Sequence, residues 1–147
     1  MQYSEAQQGR TFILRLEDGE IIHETVENFA KEHNIQAASL IIVGGADEGS
    51  KLVVGPEDGR SSDIHPMEYI LNHVHEIAGT GTLFPDEEGN PSLHMHITAG
   101  REGSAVTGCI RRGVKTWLIT EIILTEITNT TAIRKKDSDS GFTLLSP

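Results

Sequence analysis

The chain has 147 residues and one cysteine, enough to bury a single core without disulfides and too short for two large domains. Against 22 Asp+Glu there are only 12 Lys+Arg, a formal charge of −10, which repels a phosphate backbone and argues against autonomous, non-specific nucleic-acid binding. The longest apolar runs, such as Leu40-Ile41-Ile42-Val43, fall far short of the ~20 residues of a membrane span. Met1 to Arg10 lacks the basic start and apolar run of a secretory signal, so a cytoplasmic location is expected.

Thr11 to Leu16 is a β-prone run closed by Glu17-Asp18-Gly19-Glu20, a turn composition. Ile22, Val26, Phe29, Ala30 and His33 then recur at spacings of three and four, with Glu24, Glu27, Lys31 and Glu32 on the other face. That is an amphipathic helix, expected to end near Asn34. Ala37 to Val43 is continuously apolar enough for a buried strand and stops at Gly44-Gly45, whose lack of dinucleotide-loop spacing favours a tight turn or close packing over phosphate binding. Leu52-Val53-Val54 suggests a short strand, and residues 55–66 have loop composition.

Segments 68–83, 92–99, 104–110 and 116–128 carry β-branched and aromatic residues, separated by Pro85 to Pro91, Gly100 to Gly103 and Arg111-Arg112-Gly113. Short connections between successive strands favour antiparallel pairing, and a helix followed by such a meander predicts an α+β fold with helix cover on one face. Residues 1–8 read as an N-terminal tail and 9–147 as a single domain; within it, 129–140, including Arg134-Lys135-Lys136 and Asp137 to Ser140, reads as a polar segment before the apolar stretch Phe142 to Leu145.

His94 and His96 stand at i and i+2 in Leu93-His94-Met95-His96-Ile97, so a strand projects both imidazoles to one side. A four-residue connection Gly100 to Gly103 would pair His96 with Thr107 and His94 with Cys109, bringing the thiol to the two rings. Two imidazoles and a thiolate suit Zn²⁺, and the convergence depends on register, because a slip of one residue sends Cys109 to the other face. The alternative is a polar, solvated strand face. His73 and His75 repeat the spacing but lie too far along the sheet to share the metal; they read as surface or interface residues, and His23, His33 and His65 as helix-edge or loop residues. No nucleophile elbow, Walker loop, Cys-x-x-Cys pair, His-Glu-x-x-His helix or zinc-deaminase pattern occurs.

The sequence resembles the PPC family (plants and prokaryotes conserved domain, DUF296) in Gly9 to Glu20, Asn34 to Ala38, Ile42 to Ala46, Glu76 to Leu83, Gly89 to His96 and Glu121 to Leu124. The resemblance implies a mostly antiparallel sheet with flanking α-helices, assembled as a homotrimer, and a metal site in which a third histidine follows the His-x-His. Here Thr107-Gly108-Cys109-Ile110 puts Cys109 at that place, a change of ligand charge and softness that still suits zinc. A trimer would also cover the apolar strand Trp117 to Leu124; a central strand of a monomer would have the same periodicity.

Plant members carry a DNA-binding AT-hook and bind other nuclear proteins; no Arg-Gly-Arg-Pro hook occurs here, and Arg111-Arg112 is too short to overcome the acidic balance. The expected function is therefore a metal-containing, oligomeric binding module whose partner is a protein or a small molecule, with direct nucleic-acid binding disfavoured. The alternative is a zinc-dependent enzyme using a metal-bound water, with Glu76 or Glu121 as general base.

Overall fold

The structure, a computed structural model, describes residues 1–61, 64–138 and 141–147. Ser62-Asp63 of the expected loop and Asp139-Ser140 of the expected polar tail lie outside the described residues. In chain order the elements are β1 (Gln7–Glu17), α1 (Ile22–Glu32), β2 (Ala37–Ala46), β3 (Lys51–Pro56), β4 (Pro66–Ile70) and β5 (His75–Pro85). Then follow β6 (Pro91–Arg101), β7 (Ser104–Cys109), β8 (Thr116–Thr128), β9 (Ile133–Lys136) and β10 (Thr143–Ser146). Eight strands form one antiparallel sheet in the order β1-β8-β2-β5-β6-β7-β3-β4, and β9 pairs with β10 in a separate ribbon.

Several expectations need correcting. One helix, not several, covers the sheet among the described residues. The segment 68–83 divides into β4 and β5 around Leu71 to Val74, and β1 begins at Gln7, inside the expected tail. The 129–140 segment contains β9, where Arg134 is only 3% exposed. A buried guanidinium inside a run of charged residues is invisible to composition, because its acceptors come from distant strands.

Strand alternation divides the sheet into two faces. Leu16, Leu40, Ile42, Ile77, Leu83, Leu93, Met95, Ile97, Ile122 and Leu124 point inward and form one core with Ile22, Val26 and Ala30 of α1. The helix stops as its sequence dictates. Asn34 takes the left-handed conformation (φ 56°), the Ile35 N–H donates to the Ala30 carbonyl at 2.8 Å and the Asn34 N–H to that of Lys31 at 3.3 Å, a Schellman closure with Ile35 fully buried. Gly44-Gly45 marks a register shift against β8, in keeping with close packing rather than a ligand loop. No described helix is long and apolar enough to cross a membrane.

The outer face is not uniformly polar. Ile13, Ile123 and Ile41 stand side by side across β1, β8 and β2, exposed by 84%, 44% and 57%. The same cross-strand row continues through Thr80 and His96 to Cys109 and Val53. The strand Trp117 to Leu124 is thus central in the sheet and still presents apolar side chains outward.

Candidate metal centre

The β6–β7 hairpin positions the three ligands expected from sequence. Its turn is the two-residue pair Glu102-Gly103, with φ of 53° and 79°, and Arg101 pairs with Ser104. Positive φ at both central residues defines a type I′ turn, whose twist matches that of the flanking strands. Two residues rather than four move the register by two. Cys109 therefore stands opposite His96, not His94, and Thr107 stands opposite Thr98, not His96. An even shift preserves the face, so the convergence of His94, His96 and Cys109 holds although the pairing differs.

The Nε2 atoms of His94 and His96 are 3.1 Å apart, with the rings edge to face at 5.0 Å between centroids. No two ligand atoms of the three residues are more than 4.8 Å apart. Two nitrogens on a tetrahedral zinc, each bonded at ~2.0–2.1 Å, stand about 3.3 Å apart, so the histidine pair is already spaced for one ion. The Cys109 sulfur lies within 4.8 Å of both, and an N₂S donor set suits zinc. No Asp or Glu joins the group among the described residues.

His94 is held uncharged. Burial of its ring, then the nearby charges of Arg111, Arg134 and His96, push its pKa down to about 4, so at neutral pH the imidazole is uncharged. Arg134 and Arg111 are the neighbours that sequence reasoning missed. Arg134 donates through Nε to the Ser92 carbonyl (3.1 Å) and through Nη2 to the Thr82 carbonyl (3.0 Å) and hydroxyl (2.9 Å). Arg111 donates to the Leu93 carbonyl at 3.0 Å. Spacing offered a signal only for Arg111, which lies two residues beyond Cys109.

The other candidates are not brought to this place. Glu76 pairs with Gly100, four residues along β5 from the His96 partner Thr80, or ~13 Å. Glu121 lies on β8, three strands from β6, or ~14 Å. Within one chain neither lies beside His94, so the sheet does not bring the two expected bases to the three residues. His75 is buried, 6% exposed, with Nδ1 2.7 Å from the His73 carbonyl, so it is a packed residue and not a surface one.

The model of the Plants and Prokaryotes Conserved (PCC) domain matches residues 3–128. The chain belongs to this family. Among solved structures it is similar to a plant- and prokaryote-conserved protein of Pyrococcus horikoshii, at 23% identity and a TM-score of 0.86, covering 100% of this chain and 98% of that one. A metal-containing protein of Archaeoglobus fulgidus matches at 22% identity and a TM-score of 0.84, with 100% of both chains covered. A candidate DNA-binding protein of Ralstonia eutropha matches at 21% identity and a TM-score of 0.71, covering 92% of this chain and 90% of that one. These likenesses establish the PCC fold. No curated protein matches the chain.

Proposed function

We propose that this PCC-domain protein holds one zinc ion through His94, His96 and Cys109 and works as a homotrimeric binding module, not as a DNA-binding protein in its own right. The observation that carries the reading is the 3.1 Å separation of the two imidazole Nε2 atoms beside a lone cysteine on the adjoining strand. The metal-containing relative from Archaeoglobus supports it. Bound there, zinc would supply a Lewis-acidic position open to a small ligand. His94 and His96 orient the site, and the β9–β10 ribbon walls one side of it through Phe142 to Leu144.

The trimer is proposed to cover the row Ile13, Ile123 and Ile41, an exposed apolar patch on a sheet face that water would otherwise meet. The charge of −10 weighs against transferring DNA binding from the Ralstonia relative. Elemental analysis of protein purified without chelator, together with its mass in solution, tests the reading. Stoichiometric zinc and a mass three times 16.1 kDa are expected; metal-free protein that takes up no added zinc refutes the metal centre, and a monomer refutes the assembly.

A further inference from the structure

The cleft beside the candidate metal centre has a chemistry of its own. It has a volume of 470 Å³ and is lined by His94, Cys109, Arg111, Arg112, Phe142 and Leu144. Among the described residues no Asp or Glu lines it, although the chain carries 22 of them and a net charge of −10. Two arginines beside apolar side chains set this lining apart from the acidic balance of the chain. Arg111 is held in place by its bond to the Leu93 carbonyl, which uses Nε and leaves the terminal nitrogens as donors. Arg112 reaches the rim, where Nε pairs with Glu68 Oε1 at 3.2 Å. Behind them, Arg134 donates only to neutral oxygens of Thr82 and Ser92, so its buried charge has no carboxylate partner among the described residues.

We propose that this cleft binds a small organic oxyanion, a carboxylate or phosphate ester, with its charged head between Arg111 and Arg112 and its apolar body against Phe142 and Leu144. Guanidinium forks match the paired oxygens of both head groups, and charge-assisted hydrogen bonds in a partly desolvated cleft are the strong kind. The volume suits a molecule of metabolite size, since ligand pockets commonly span ~300–1,000 Å³. The inference deepens the metal reading, because His94 and Cys109 line the same cleft and a cation there would add to the attraction. The arginines act on the anion without it.

The test is titration of benzoate and of phenyl phosphate, with benzyl alcohol as the neutral control, into metal-free and zinc-loaded protein, followed by calorimetry and by amide chemical shifts. Both anions are expected to bind the metal-free protein and to bind the zinc-loaded form more tightly, with shifts at Arg111, Arg112 and Phe142 and none from the alcohol. Arg111→Gln and Arg112→Gln should each weaken binding by about tenfold or more. Glu68→Gln, which releases Arg112 from its ion pair, should tighten it, an outcome that misfolding cannot mimic. Anion binding with no zinc uptake upholds the cleft and removes the metal. Zinc uptake with no anion binding to either form, or equal binding of benzyl alcohol, overturns the anion site and leaves the metal standing.

Discussion

His96 and Cys109 face one another across the β6–β7 hairpin, one residue pair in a row that crosses the sheet from Ile13 to Val53. Their opposition follows from the two-residue turn at Glu102-Gly103, and it makes the thiol a neighbour of one imidazole and the other imidazole a neighbour of both. Cys109→Ala is expected to weaken zinc binding by more than the ~10–100-fold that loss of a mere outer-shell partner costs. Thr107→Ala, on the same strand and face but paired with Thr98, should leave affinity within a few-fold. Competition with a chromophoric chelator measures both.

Acid stability should depend on Glu126. Its carboxylate accepts from the Arg10 backbone N–H (3.0 Å), Nε (2.8 Å) and Nη2 (2.7 Å), and these bonds hold its pKa at about 2 against an ordinary 4.5. A carboxyl whose pKa is lower when folded contributes stability above its unfolded pKa and loses it as pH falls toward the folded one. Glu126→Gln should therefore cost about 2 kcal/mol at pH 7. The gap between variant and wild type should close as pH drops from 4.5 toward 2, read from urea unfolding across that window.

The exposed isoleucine row predicts the assembly. Ile123→Lys places a charge at the centre of the row, between Ile13 and Ile41, while its β8 neighbours Ile122 and Leu124 remain in the core. The variant should fold with an unchanged circular-dichroism spectrum and sediment at one third of the wild-type mass. An unchanged mass would assign the patch to something other than self-association.

Gly79 ties the core to the candidate metal site. A methyl group there would collide with the His96 carbonyl oxygen and come within 2.9 Å of the Ile97 Cα, backbone atoms that cannot turn aside. Gly79→Ala should destabilise the protein by about 1–3 kcal/mol, the cost of overpacking, and should lower zinc affinity by displacing β6. Thermal unfolding and the chelator competition report the two effects separately.

Much of this was legible because periodicity is local. The i and i+2 histidines share a face in any strand, the helix shows its three-and-four spacing, and Asn34 supplies the left-handed closure where the apolar stripe ends. What depended on contacts far apart in sequence was not. Composition could not show that β8 inserts between β1 and β2, nor that Arg134, in a run of charged residues, threads to the carbonyls of Thr82 and Ser92. The hairpin lies between these cases. Parity was readable and chose the right face, whereas exact register turned on whether Glu102-Gly103 alone made the turn.

X-ray absorption at the zinc edge on stoichiometrically loaded protein tests the central claim most directly. The account predicts a shell of nitrogen or oxygen at ~2.0–2.1 Å with two imidazole scattering patterns and a single sulfur at ~2.3 Å, the sulfur lost in Cys109→Ala. A wild-type shell with no sulfur, or one unchanged by Cys109→Ala, would contradict it.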